Sequence, residues 1–294
     1  MSTGLISLHS IPGERGPRRD TLLRKMLGRP SVIFFAAILG IITILCVLAP
    51  LIAPNPNSAA FDVHLTPNMN HIMGTDNLGR DLFARMLYGG RISLLVGFTV
   101  AVICLTIGIF AGGLAGYFGG FADTVLTKIT EFFQVIPGLI LALAATAILG
   151  TNVGLIIIIL SLTMWPQVAR VMRAEAMKIS ELGYIESARA AGFGSFRIFW
   201  SDVIPNALPP VLVATTMTVG RAILIESALS FLGLGDANHP SWGALLHSAQ
   251  QFMQVAWWVA VFPGAAIFVV VLAANMLGDY LNDALNPALS RVKS

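Results

Sequence analysis

The sequence predicts an all-α integral membrane protein with six transmembrane helices and both termini in the cytoplasm. Three observations predict it: a hydropathy too high for a water-soluble core, six apolar runs of spanning length, and an uneven placement of lysine and arginine. Of the 294 residues, 56% are hydrophobic and 11% charged, and the mean hydropathy is +0.79. A soluble domain carries about 25% charged residues. A chain this short and this apolar needs a bilayer as its solvent.

Residues 1–30 form a basic tail with Arg15, Arg18, Arg19, Arg24, Lys25 and Arg29. Placed ahead of an apolar run, such a tail marks a retained cytoplasmic end rather than a nucleic-acid arm. The run 31–53 exceeds the 7–15 apolar residues of a signal peptide and reads as an uncleaved first helix. An external loop is expected at 54–91. Further helices are expected at 92–116, 124–149, 153–172, 207–232 and 258–278, each near the roughly 20 residues that span about 30 Å of hydrocarbon. Together 92–283 form the core domain, and 284–294 a cytoplasmic tail.

Two of these helices carry irregularities. The third begins polar, with Lys128, Glu131 and Gln134 at helical spacing, a stripe expected to face protein rather than lipid. The fourth contains Pro166 and Gln167, tolerable where neighbours satisfy the freed carbonyls. Gly108, Gly112, Gly116 and Gly120 recur every fourth residue, a spacing that lets another helix approach closely in lipid. Cys46 and Cys104 lie in apolar runs and read as packing residues. His64, His71, His239 and His247 show no metal-ligand spacing.

Orientation follows from the loops. The 173–206 segment holds Arg173, Lys178, Arg189 and Arg197, with Arg170 at its edge, whereas 150–152 and 233–257 hold no lysine or arginine. The 54–91 loop runs against the rule, since Arg80, Arg85 and Arg91 would lie outside, partly offset by Asp62, Asp76 and Asp81.

The polar insert between the fourth and fifth helices is the most informative region. Glu186, Arg189 and Ala190 share one helical turn, Gly192 is placed to end that helix, and Phe193, Phe196, Ile198 and Phe199 begin a second apolar-faced piece that Pro205 closes. A helix–glycine–helix element with a small-residue knob and one carboxylate suits docking into a partner's groove; an amphipathic loop lying on the membrane is the other reading. The chain has no Gly-x-x-x-x-Gly-Lys-Ser/Thr loop, so energy from ATP would have to enter through a partner. Gly-x-Ser-x-Gly and His-Glu-x-x-His are also absent, which argues against an intramembrane hydrolase.

The run Glu186-Ser187-Ala188…Gly192…Ile204-Pro205 resembles the EAA loop of binding-protein-dependent ABC importer permeases. Ser187, Asp202 and Ile204 stand where that family usually has alanine, an aliphatic residue and leucine. Gly74-Thr75-Asp76-Asn-Leu-Gly79-Arg80-Asp81, continuing through Arg85 and Gly89 to Leu94, resembles the external segment of the peptide/nickel subfamily's C-type permease. Gly116–Gly120, Leu229–Gly235, Trp242-Gly243 and Asn275–Asp279 are similar to it too, over roughly residues 70–287. Asn282 and Asn286 depart, where arginine and aspartate are common.

The resemblance implies a type I ABC importer permease, not itself an enzyme, in a bacterial inner membrane. It would pair with a second similar permease, two cytoplasmic ATPases carrying ATP and Mg, and an external solute-binding protein. Di- or oligopeptides are the implied substrates, with nickel, glutathione or opine-like compounds as alternatives; a stand-alone secondary transporter is the remaining reading. Glu186, Ser187, Ala188, Arg189, Ala190, Gly192, Ile204 and Pro205 become the ATPase-coupling candidates. Gly74, Thr75, Asp76, Gly79, Arg80 and Asp81 become candidates for contact with the binding protein, or else a turn in which Thr75 or Asp76 caps a helix and Arg80 pairs locally. Within the fifth helix, Arg221 and Glu226 each cost about 2.5–3.5 kcal/mol at a helix centre and should face protein or water. They line the path, or pair with each other or with the partner permease; Glu131 and Gln134 are weaker path candidates.

Overall fold

The computed structural model describes residues 30–135 and 137–285. The basic tail from Arg15 to Arg29 and Asn286 lie outside the described residues. Every extended element among these residues is helical, and two isolated bridges, Ala59–Arg80 and Thr75–Asp81, close the connection after the first helix.

Helix α1 spans Pro30–Val47 and is followed by a single turn, α2, at Ala49–Ile52. The second long helix, α3, runs Leu82–Phe118, ten residues earlier than hydropathy suggests. Its start is set by Asp81, whose carboxylate accepts the Ala84 N–H (2.9 Å), an N-cap that satisfies one of the orphan donors of a helix start. The expected third helix is broken: α4 (Gly120–Val135) and α5 (Gly138–Leu149) are bent by 77°. Pro137 lies at the break, where it disfavours helical geometry in the residue before it. Helix α6 (Val153–Ser180) continues through Pro166. Beyond it come α7 (Gly183–Ala190), the short α8 (Ser195–Ile198), a π turn at Phe199–Val203, α9 (Ile204–Leu229) and a second π turn at Ser230–Leu234. The 233–257 connection is not a plain loop, because α10 (Trp242–Ala249) forms within it; α11 (Trp258–Leu285) ends the described chain. Among the described residues, five helices are long and apolar enough to cross a membrane, and six if the bent α4–α5 pair is one span.

The bundle is organised around α3 and α6. A Cβ on Gly112 would lie 2.1 Å from the Ala169 carbonyl oxygen, one on Gly116 2.4 Å from that of Arg173, and one on Gly108 2.7 Å from Val168. These three glycines let the backbones touch. Gly120 does not join them: it has φ +55, meets nothing within 4 Å and begins α4. Helix α9 packs on α3, α6 and α11, with Ile223 against Gly97. Helix α1 sits outermost on α11 and α3, and leaves Phe34, Ile41 and Ile44 exposed, as a lipid-facing helix should. Cys46 and Cys104 are free and buried; Cys46 lies against Gly90, and Cys104 against the Ser161 carbonyl.

Gly112→Val should cost at least about 1–3 kcal/mol, because the added methyls must push two backbones apart. Gly264→Ala, where a Cβ meets nothing within 4 Å, should stay within about 0.5 kcal/mol. Thermal unfolding of the detergent-solubilised protein checks both.

Candidate functional site

Three clusters hold the candidate residues. The first is the 54–81 connection, built around Asp76. Its fully buried carboxylate accepts N–H groups from Leu78 (2.8 Å) and Arg80 (3.0 Å), and it pairs with Arg80 Nε (2.7 Å) and Arg85 Nη1 (2.5 Å). One carboxylate thus answers two of the three arginines that ran against the charge rule. Gly74 (φ +76) and Gly79 (φ +69) turn so tightly that a Cβ would meet the carbonyls of Leu65 and Phe61. The Thr75 hydroxyl donates to the Asp62 carbonyl, and the Trp258 indole N–H donates to the Thr75 carbonyl. The α3 cap is Asp81, which also pairs with His71 (2.8 Å), so neither Thr75 nor Asp76 caps a helix. Gly74, Thr75, Asp76 and Gly79 are interior, and the outward apolar surface here belongs to Phe61, Val63, Met69, Ile72 and Leu78, which sequence reasoning passed over.

Burial alone would raise the Asp76 pKa, but the N–H donors of Arg80 and Leu78 and the charge of Arg85 hold it below the usual 3.8. A lowered folded value stabilises above the unfolded pKa and loses that contribution as pH falls through the folded one. This segment should therefore loosen below about pH 4, read as a shift in Trp258 fluorescence, and Asp76→Asn should show the shift already at pH 7.

The second cluster surrounds Glu226. Its carboxylate, 2% exposed, accepts hydroxyls from Ser230 (2.7 Å), Ser93 (3.2 Å) and Ser227 (3.4 Å), with Ser241 a fourth donor. Ser93 in turn accepts the Trp242 N–H (3.3 Å), while the Trp242 indole N–H donates to the Met86 carbonyl (2.9 Å). Glu226 therefore ties α10 to α3 and α9. It does not pair with Arg221, whose guanidinium donates instead to Gln167 of α6; the mutual pairing considered from sequence is not formed. Glu226→Ala should orphan these hydroxyls and cost roughly 2–4 kcal/mol, whereas Glu226→Gln, which keeps shape and an acceptor, should cost less than about 1.5 kcal/mol; thermal unfolding ranks the two.

The third cluster is the 181–206 loop. Ile185, Ile198, Phe199 and Val203 anchor it in the core, which leaves Glu186, Ser187, Arg189, Ala190 and Gly192 facing outwards and Ala188 half-buried. Gly192 (φ +83) ends α7, with its N–H on the Arg189 carbonyl and the Phe193 N–H on that of Ala188. The Arg189 guanidinium lies over the Tyr117 ring at 5.4 Å, and that of Arg197 over Phe193 at 4.5 Å. Asp202, an unusual residue for its place, accepts the Ser201 hydroxyl (2.5 Å). Burial and Asp202 push the Tyr184 hydroxyl above its ordinary pKa. Ile204 is half-buried, and Pro205 stands exposed in the first turn of α9.

Glu131 pairs with Lys128 (2.8 Å) on an exposed face. With Gln134 it lines a hollow of about 160 Å³ that also reaches Arg170 and Arg173. Arg173 is held bidentately by Asp123 (2.5 and 2.7 Å), a link between α4 and α6 that the sequence did not suggest. No cluster of three or more histidine, cysteine or acidic side chains suited to a metal occurs among the described residues.

The described residues thus form a bundle of long apolar helices with an exposed helix–glycine–helix projection, the architecture of a multi-spanning membrane protein. The chain belongs to the family of binding-protein-dependent transport system inner membrane components, whose profile matches residues 104–291. It is thus a permease subunit of an ABC importer and a multi-pass inner membrane protein. It is 38% identical over 269 residues to a putative peptide transport system permease protein of Brucella suis, covering 90% of both chains. It is 40% identical to the glutathione transport system permease protein GsiD of Pectobacterium atrosepticum (76% of this chain, 74% of the relative) and 37% identical to the dipeptide transport system permease protein DppC of Bacillus subtilis (86% and 81%). In fold it is similar to a chain of the inward-facing MetNI methionine ABC transporter, with TM-score 0.56 and 20% identity over 68% of this chain and 96% of that one.

Proposed function

We propose that this chain is one half of a heterodimeric permease that imports di- or oligopeptides, with both termini and the 181–206 loop in the cytoplasm and the 54–81 segment outside. The observation that carries the reading is α7 itself. It is anchored by Ile185, stopped by left-handed Gly192 and presents Glu186, Ser187 and Ala190 to solvent. Such a rigid small-residue projection suits a groove on each ATPase partner, where ATP and Mg would be held. The peptide and glutathione permeases among its relatives support the substrate class, and glutathione is itself a tripeptide. Outside, Met69, Ile72 and Leu78 offer an apolar surface for a solute-binding protein.

Cysteine placed at Ala190 should cross-link to the co-expressed ATPase. Gly192→Val meets open space yet strains a φ of +83, so it should leave insertion intact while uptake falls about tenfold and ATP hydrolysis proceeds uncoupled. Absence of the cross-link together with full transport by Gly192→Val would overturn the coupling role.

A further inference from the structure

The charges of this chain divide into two kinds. Asp76 is shared between Arg80 and Arg85, Arg173 is held by Asp123, and Glu226 sits among hydroxyls. Arg91, Arg170, Arg189, Arg197 and Arg221 have no carboxylate at ion-pair distance among the described residues; Arg91, Arg189 and Arg197 each lie over an aromatic ring, which leaves Arg170 and Arg221. Glu131, which lines the neighbouring hollow with Arg170, is engaged by Lys128. The two guanidiniums line one groove between α6 and α9 with a volume of about 440 Å³, walled by Val171, Ala174, Ala214 and Met217. Gln167 joins them and accepts a hydrogen bond from Arg221, which orients that fork.

The depth of the groove matters. The Val153 N–H donates to Asp236 (3.1 Å), so the start of α6 and the end of the α9 span lie level. Gln167 is 14 residues below Val153 and Arg221 13 residues below Leu234, which puts both about 20 Å into the bundle at about 1.5 Å per residue. Arg221, a cation at hydrocarbon depth, cannot face lipid and marks a protein or water-lined surface; Arg170, about one turn further along α6 than Gln167, opens onto the same groove. A hollow with apolar walls and a few convergent polar groups has the size and lining of a small-ligand site. Guanidinium forks match the geometry of a carboxylate.

We propose that Arg170, Arg221 and Gln167 form a carboxylate-binding subsite on the translocation path, which receives the C-terminal carboxylate of the peptide in transit. The proposal rests on the peptide-importer reading and adds a specificity determinant inside the membrane, separate from the binding protein. One turn along α6, Arg173 shows how the chain treats a structural cation: it supplies Asp123. At Arg170 and Arg221 it supplies no acid, so the counter-charge arrives with the substrate.

The test uses the complete importer in proteoliposomes, with ATP inside and the binding protein outside, and measures uptake of trialanine and of trialanine amide by wild type, Arg221→Gln and Arg170→Gln. The binding protein is common to all three, so its own preference cancels in each variant-to-wild-type ratio. The expected result is a roughly tenfold or greater fall for trialanine, the scale of one lost charge-assisted hydrogen bond, an unchanged ratio for the amide, and normal assembly by size exclusion. Equal falls for both substrates, or loss of assembly in both variants, would overturn the subsite and assign the guanidiniums to an acidic group of the partner permease. Unchanged uptake of both would also overturn it, leaving the peptide reading intact. A wild-type complex that imports neither compound would overturn the peptide reading itself.

Discussion

The close approach of α3 and α6 is the contact on which the rest of the bundle depends. In lipid, no hydrophobic effect drives helix against helix, so association rests on packing and on interhelical hydrogen bonds. Gly108, Gly112 and Gly116 bring α3 against the carbonyls of Ala169 and Arg173, a distance that any side chain would forbid. Because α6 is a single helix from Val153 to Ser180, clamping its middle fixes both ends. One end receives Asp236, and the other leads through Glu181 and Leu182 into the α7 knob. The bond between Asp123 and Arg173 then seats α4 on the same helix.

Every buried charge outside the groove is answered locally, and the answers differ by site. Asp76 is met by backbone N–H groups and two arginines, a dense set that allows a carboxylate with no solvent exposure to stay ionised. Glu226 is met only by hydroxyls and by no cation, so the link it makes is short-ranged and tied to shape. Both work as joints: the first folds the 54–81 connection onto Trp258, and the second seats α10. Arg170 and Arg221 are a different case: both are exposed and open onto one groove, with no carboxylate at ion-pair distance among the described residues.

Hydropathy located the five long apolar helices, because a run of about 20 apolar residues has few other uses, but it read the bent α4–α5 pair as one helix. It misplaced ends: α3 begins at Leu82, where the decisive atom is the Asp81 carboxylate in a polar stretch that invites Thr75 or Asp76 equally well. The bend between α4 and α5 falls at Pro137, where the run that begins polar with Lys128, Glu131 and Gln134 turns apolar. Four-residue spacing enrolled Gly120 with Gly108, Gly112 and Gly116, yet spacing carries no φ, and the chain turns at Gly119 and Gly120. The α7 knob was readable because a glycine stop and an amphipathic turn are local signals. Neither the serine shell of Glu226, drawn from α3, α9 and both sides of the second π turn, nor the meeting of Arg221 with Gln167 was readable, since each joins residues distant in sequence.

The two π turns show how these sites are mechanically joined. Residues 195–234 form one continuous span, with a π turn at Phe199–Val203 beside the knob and another at Ser230–Leu234 beneath α10. A π turn widens the helix and frees carbonyls for other partners. Here the Phe231 carbonyl accepts from His247 (2.8 Å) and Gln250 (3.0 Å), while Gly233, at φ +85, ends the helical path. Helix α9 lies between these widened turns and carries both Arg221 and Glu226, so it joins the groove to the α10 seat. On the coupling role proposed above, a displacement of the knob would be passed to α9 through the buried Phe199 and Val203. Under both proposals one helix would carry the guanidinium that meets the carboxylate and the motion that the ATPase drives.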